Sequence, residues 1–240
     1  MVVIRPFRSD DITGYLAIQE SAWDESMAAA EEKLAERFRI FPDGMLVAEH
    51  EGRVVGCTTF IRIADYDEVM KPSWDDITDN GWCTTHVDDG PLLFGVDLSV
   101  AKTAPRLTAP LLFMAGIEFV MSLGVEAGIW GGRMPRYHKV ADQMTPEQYL
   151  FGRTASGRFL DPEVQLYSKI PGVEIRGILP EYFKDFESLN NGVLLWWPNP
   201  IARFSLLRPF ARPIAAGMYR LSRRQRKRSA PRRTAGKVAV

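Results

Sequence analysis

The sequence predicts a mixed α/β domain built on a central β-sheet with helices on both faces. Three observations carry that reading. Short apolar, β-branched runs alternate with stretches of good helix formers along most of the chain. A Glu-Gly turn at 51–52 separates two apolar runs and marks a β-hairpin. An apolar run at 92–100 leads through a short loop into a strongly apolar helix at about 108–122.

The elements follow in order. "VVIRPF" reads as a strand at 2–7. "SDDITGYLAIQESAW" opens with Ser9 and Asp10, either of which suits a helix cap, and continues with Ile12, Leu16, Ala17 and Ile18 at rough helical spacing. "MAAAEEKLAERFRI" predicts a second helix at about 27–39. The hairpin strands cover about 44–49 and 53–63. Residues 64–90 hold eight Asp and Glu against Lys71 alone, together with Pro72, Trp74, Gly81 and Trp82. They read as an insertion with little regular structure, packed through its tryptophans. After the strand at 92–100 and its helix comes "VEAGIWGG", a strand at 125–132. "TPEQYLFG" predicts a helix at 145–152, with Thr145 as cap, Pro146 in the first turn and Gln148 in the reciprocal capping position. "VEIRGILP" at 173–180 and "GVLLWWP" at 192–198 are the last strands.

Charge divides the chain in two. Residues 203–240 carry twelve of the thirty Lys and Arg and no acidic residue, leaving eighteen basic against thirty acidic side chains in 1–202. The division places a domain at 1–200 and a basic tail at 201–240, expected to be disordered from about 222 onward, where too few apolar residues remain for a core. The two cysteines, Cys57 and Cys83, read as free thiols in a reducing compartment. "MVVIRPFRSDD" lacks an apolar signal core, and no run is long and apolar enough to span a bilayer, so the expected location is cytoplasmic. His50, His86 and His138 have no metal-ligand spacing, and no Ser-His-Asp order or P-loop pattern is present.

The strings "IRPFRSDDITGYLAI" and "LVAEHEGRVVGCTTF" resemble the opening of the GCN5-related N-acetyltransferase (GNAT) superfamily. "GGRMPRYHKVADQMTPEQYL" and "DPEVQLYSKIPGVEIRGILPEYFKDFESLNNGVLLWW" are similar to one subgroup, the acetyltransferase-like domains fused in some bacterial proteins to a carbon–nitrogen hydrolase. The resemblance covers residues 2–199 and implies that the 1–200 domain is a GNAT-like acetyltransferase domain. It implies the acyl-CoA N-acyltransferase fold, in which the strands at 92–100 and 125–131 splay apart at one end. It implies acetyl-CoA or another acyl-CoA in that gap, and an acceptor amine arriving from the other side to attack the thioester directly.

What the resemblance implies for individual residues can be set against their chemistry. Leu98 and Val100 of the central strand would flank the cofactor, and Arg106, Leu107, Thr108 and Ala109 would cradle its pyrophosphate at a helix start, where unpaired N–H groups and the positive end of the dipole suit an anion. The family's glycine-bearing pattern falls on 104–109, and only Ala109 keeps it; Pro105 and Pro110 remove two donors, while Arg106 brings a guanidinium. Asp97, in an apolar strand, is the candidate base, and Tyr137, beyond the 125–131 strand, the candidate proton donor. Arg133 is placed to meet an anionic part of the cofactor, and Trp82, His86 and His138 are candidate contacts to the acceptor. Each has a plainer reading: Asp97 as a hydrogen-bonded strand residue, Tyr137 as a packed ring, the histidines as structural or surface groups.

Two function classes therefore compete. One is an acyl-CoA-dependent N-acetyltransferase for a small amine, whose charge the acidic insertion would favour as cationic. The other is a non-catalytic protein of the same fold with a degenerate cofactor loop. In that case "RRQRKR" at 223–228 would contact nucleic acid, anionic lipid or an acidic protein surface. The run has no interleaved aromatics, so no specific nucleic-acid readout is implied. A homodimer is left open.

Overall fold

Seven strands form a single sheet in the order β1-β2-β3-β4-β5-β7-β6. The computed structural model describes residues 1–23, 28–65 and 73–229, with side chains through 222. The strands are β1 (Val2–Pro6), β2 (Met45–His50), β3 (Arg53–Ile63), β4 (Leu92–Val100), β5 (Ala127–Gly132), β6 (Glu174–Leu179) and β7 (Gly192–Pro198). The helices are α1 (Ile12–Ala22), α2 (Glu31–Ile40), α3 (Trp74–Thr78), α4 (Thr108–Leu123), α5 (Pro146–Phe151), α6 (Pro162–Tyr167) and α7 (Ala211–Ser229).

The β2–β3 hairpin turns where the sequence placed it. Glu51 and Gly52 both take positive φ (53° and 75°), as a two-residue turn matched to strand twist requires. The first helix is entered differently. Neither Ser9 nor Asp10 caps it; the carboxylate of Asp11 accepts from the Arg8 backbone N–H at 2.8 Å and from the Arg5 guanidinium at 2.7 and 2.8 Å, tying the helix entry to β1. The Thr145–Gln148 capping box forms as expected at α5. Helix α6, a further short helix, is capped by Asp161, which accepts from the N–H groups of Glu163 and Val164.

Both faces of the sheet are covered, which accounts for the continuous apolar run of β4. Its residues alternate: Leu93 joins the cluster beneath α4 with Phe113, Ile117 and Val120, while Leu92, Phe94 and Val96 join a second cluster with Ile61, Ile129 and Phe183. A third cluster, around Tyr15, Ile18, Leu34 and Val47, holds α1 and α2 on β1–β3. Both thiols are buried and free.

The centre of the sheet positions the site. Among the described strands β4 and β5 are the one parallel pair, and their register runs from Leu92↔Ala127 to Gly95↔Trp130 and stops. β4 continues along β3 as far as Gly56↔Val100, and β5 continues along β7 as far as Gly132↔Val193. The register of β3 on β4 jumps between Thr59 and Phe60, which face Asp97 and Gly95 and leave Val96 as a bulged residue. Trp130 lies across the fork. A Cβ on Gly95 would stand 2.0 Å from its Cδ1, so only glycine lets the indole sit against β4.

The acidic insertion packs on this fork. Within it Ser73 and Asp76 form a capping box for α3, and Trp74 donates from Nε1 to the bulged Val96 carbonyl at 2.8 Å. Residues 66–72 lie outside the described residues. The expectation of a structureless chain from about 222 gives way to helix as far as Ser229; residues 230–240 lie outside the description. The helix begins on the core, with Ala211 and Ala215 buried in the cluster beneath α4 and Ile214 and Met218 packed against it. Arg208 rests over Gly124, the left-handed residue ending α4, where a cation complements the carbonyl end of the helix.

Gly95→Ala is expected to force Trp130 out of the fork and to lower unfolding free energy by about 1–3 kcal/mol or more. Urea unfolding followed by tryptophan fluorescence measures it. A loss below about 0.5 kcal/mol would show that the indole has room to move aside.

Candidate active site in the parted sheet

Where β4 and β5 part, a cavity of about 300 Å³ opens between them. Its walls are the parted lengths of the two strands, Leu98 and Val100 among them, and Arg133 just beyond β5, with Ala109 and Phe113 of α4, Trp23, Trp74, Phe183, and Glu163 and Tyr167 of α6.

Asp97 lines this cavity, yet both its oxygens are occupied. Arg37 donates to it at 2.9 Å, the Thr59 N–H at 2.9 Å, the Tyr15 hydroxyl at 3.1 Å and Gln19 at 3.4 Å. The side chains of Arg37 and Asp97 are 2% and 6% exposed. Burial pushes the Asp97 carboxyl upward, opposed by Arg37, Tyr15 and Thr59. Protonating it would strand a buried guanidinium, so the pair is held in its charged form. Arg37 also donates from Nε to the Gly81 carbonyl at 2.6 Å. This one side chain therefore braces α2, the acidic insertion and the strand residue next to the bulge.

Arg133 stands at the cavity as expected, but it is spoken for. It makes a two-pronged pair with Asp185 (2.9 and 2.7 Å), reaches Glu187 at 3.0 Å and lies 5.7 Å from the Trp23 ring. Burial works to raise the Asp185 carboxyl, and the hydrogen bonds from Arg133 bring it below the ordinary value.

Tyr137 and His138 are not among the lining residues. The Tyr137 ring packs on Tyr149, and its hydroxyl donates to the Met144 carbonyl at 3.1 Å. His138 lies on Phe186 with Nδ1 3.0 Å from the Glu187 carbonyl. His86 is stacked on Phe41 and accepts at Nδ1 from the Arg62 N–H, beside the paired end of β4. Burial lowers its basicity. Trp82 meets Lys33, 5.9 Å from its ring. None of Trp82, His86 or His138 reaches the cavity.

The tyrosine at the fork is Tyr167. Its ring closes over Gly132, where a Cβ would meet it at 2.6 Å. Its hydroxyl donates to Glu163 at 2.9 Å and accepts from the Arg133 backbone N–H at 3.1 Å. Burial, reinforced by Glu163, holds the phenol well above its ordinary range. Burial likewise raises the Glu163 carboxyl, opposed by the Tyr167 hydrogen bond and by Arg133. Among the described residues Glu163 forms no ion pair, in contrast to Asp97 and Asp185. The sequence signal for this pair was present: Asp161-Pro162 is a cap followed by a first-turn proline, and it places positions 163 and 167 one above the other on a helix.

At the mouth of the fork, α4 begins with Leu107 at its cap position and no side chain closing it. Thr108 is buried, and its N–H and hydroxyl both turn back to the Pro105 carbonyl. The N–H groups of Arg106, Leu107 and Ala109 donate to no other described residue. Gly56 lets the helix start approach the sheet, since a Cβ there would meet Thr108 and Leu112 at 3.0 Å. The Arg106 side chain is exposed.

A mixed sheet forked at a bulge, with an uncapped helix start facing the gap, defines an acyltransferase fold. No family model matches the chain. The uncharacterized N-acetyltransferase YkwB of Bacillus subtilis (strain 168) is 30% identical over 203 residues, spanning 82% of this chain and 89% of that protein. The chain belongs to the GNAT superfamily. The probable hydrolase YhcX of the same organism is also 30% identical, over 202 residues; the match spans 82% of this chain but only 39% of that protein's length. Among solved structures, the loading GNATL domain of CurA from Lyngbya majuscula superposes with a TM-score of 0.73 at 19% identity over 83% of this chain and 98% of that one. The GphF GNAT-like decarboxylase in complex with isobutyryl-CoA does so with a TM-score of 0.69 at 24% identity, over 82% and 99%. At these identities the two structures establish the fold.

Asp97→Asn removes the counter-ion of a buried guanidinium and is expected to cost about 3–5 kcal/mol of unfolding free energy. Chemical denaturation reads this directly, and a cost under about 1 kcal/mol would show that Arg37 is satisfied without it.

Proposed function

We propose that the fork binds an acyl-CoA, acetyl-CoA in the simplest case, and that the chain transfers its acyl group to a small cationic amine. The observation that carries this reading is Glu163, a half-buried carboxyl at the cavity that forms no ion pair among the described residues and is hydrogen-bonded to Tyr167. A carboxylate outside any ion pair, in a cavity also lined by the rings of Trp23, Trp74 and Phe183, suits an ammonium carried on an apolar body. The neighbouring structure GphF holds isobutyryl-CoA, which agrees with this use of the fold. The pyrophosphate would rest on the free N–H groups of Arg106, Leu107 and Ala109, with the Arg106 guanidinium alongside. The pantetheine arm would run past Leu98 and Val100 on the unpaired edge of β4.

The chemistry then uses groups already in contact. Glu163 takes a proton from the ammonium; its raised carboxyl narrows the gap to the amine. The free amine attacks the thioester carbonyl, the C–N bond forms, the C–S bond breaks, and the attacking nitrogen releases its second proton to solvent. Tyr167, which stays protonated at neutral pH, gives its proton to the departing thiolate. The proton held on Glu163 returns to the phenolate along the 2.9 Å hydrogen bond. The cycle closes with no net change in the two side chains.

Three measurements test the reading. Glu163→Gln is expected to lower kcat/KM by roughly 10²–10⁴-fold for an accepted amine while leaving the affinity for acetyl-CoA unchanged. In the parent protein, activity should fall with decreasing pH through a pKa above the ordinary carboxylate range, because the base works only when ionised. A Gln variant of undiminished activity would remove Glu163 from the chemistry. Separately, Arg106→Glu should weaken acetyl-CoA binding by about tenfold or more in calorimetric titration. Absence of acyl-CoA binding by the parent protein would favour the non-catalytic alternative.

A further inference from the structure

The segment between β7 and α7 presents four large apolar side chains to solvent within seven residues. Phe204, Leu206, Leu207 and Phe210 are 59%, 87%, 39% and 56% exposed. Three of them stand on the 3₁₀ turn Ser205–Phe210, which contains Pro209. Isolated exposed apolar residues are ordinary; a contiguous group is not. The turn is anchored at both ends, by buried Ile201 and by Ala211 and Ala215 in the core. The side of α7 that packs on α4 is already used, so the exposed residues are surplus to folding.

The same stretch is basic. Arg203, Arg212 and Arg220 are exposed, and none of them forms an ion pair among the described residues. The helix continues through "RRQRKR" at 223–228, and Arg232, Arg233 and Lys237 follow in the sequence. The body carries the opposite charge, and Arg212 acts on the half-buried Glu118, but neither it nor Arg203 or Arg220 forms an ion pair with a described carboxylate. The stretch keeps positive charge for an external anionic partner.

We propose that the 204–210 turn and the basic length of α7 form a docking surface for an anionic lipid bilayer. Stable interfacial attachment needs two signals, and this stretch of chain carries both: exposed apolar side chains flanked by the exposed Arg203 and Arg212 to enter the acyl boundary, and a polybasic run following in the sequence to meet the headgroups. Nucleic acid would use the basic run alone. Its phosphates gain nothing from Leu206 or Phe210, and the densest basic stretch has no aromatic residue for base stacking. No described helix is long and apolar enough to cross the membrane, so the contact is peripheral. This surface stands apart from the chemistry of the fork.

The test is co-sedimentation of the full chain with vesicles of phosphatidylcholine alone, or of phosphatidylcholine with phosphatidylserine. Binding to the anionic vesicles should exceed binding to the neutral ones by about tenfold or more and should fall as salt rises. The triple variant Phe204→Ser, Leu206→Ser, Phe210→Ser should lose at least about tenfold of that binding with an unchanged melting temperature. Leu206→Asp, at the most exposed of the four positions, serves as a milder second variant with the same expected direction. Two outcomes overturn the proposal: no preference for anionic vesicles, or binding that both variants leave intact. An RNA duplex that displaces the protein from vesicles, and binds parent and triple variant alike, would also overturn it and assign the surface to nucleic acid.

Discussion

Hydrogen bonding between β4 and β5 ends after residues 92–95 have met 127–130, and the rest of the site hangs on where it ends. Two polar strand edges are left facing each other across a gap, an arrangement a sheet tolerates only where something stabilises it. Here the bulge at Val96 turns β4 away, and Trp74 takes up the bulged carbonyl. Trp130 wedges the fork from the α4 side because Gly95 has no side chain. On the other face Asp97 locks the strand to Arg37, and through it to α2 and the acidic insertion. The cavity is therefore not a gap left by poor packing. It is held open by an indole, a bulge and a buried ion pair.

Environment divides the work among two carboxylates that line that cavity, Asp97 and Glu163, and a third, Asp185, held behind Arg133. Asp97 and Asp185 each face an arginine and act as structural anions. Asp185 is held below its ordinary value, so its contribution to stability is present above the unfolded-state pKa and is lost as pH falls through the folded one. Glu163 is the reverse case. Burial raises it, so keeping it ionised at neutral pH costs stability, and that cost fades only as pH falls toward protonation. A half-buried carboxyl kept ionised at some cost to stability, beside a tyrosine and at a cleft, is the arrangement expected of a group kept for chemistry.

Much of the frame was legible in the sequence because it rests on local rules. The Glu51-Gly52 turn, the Thr145–Gln148 box and the two-sided apolar run of β4 each carry their structural reason in a few adjacent residues. The splay of 92–100 from 125–131 came from the family resemblance, and the register of the strands bears it out. The side-chain assignments travelled less well. Tyr137 matched by its position just after a strand, but the chain turns there and buries its ring on Tyr149, and Tyr167 comes back to the fork from a later helix. Trp82 and His86 sit in the acidic insertion, whose path depends on contacts such as Trp74 to Val96 that no local pattern encodes. Asp97 was correctly placed at the gap, but its partner Arg37 lies on α2, distant in sequence and visible only once the helix packs.

The central claim is that the fork seats an acyl-CoA with its thioester beside Glu163 and Tyr167. A crystal structure of the protein with a non-hydrolysable acetyl-CoA analogue tests it most directly. The pantetheine arm should lie between the parted lengths of β4 and β5, the pyrophosphate at the start of α4, and the acyl group within reach of both side chains. An analogue bound elsewhere, or lying in the fork with its acyl end turned away from α6, would contradict it.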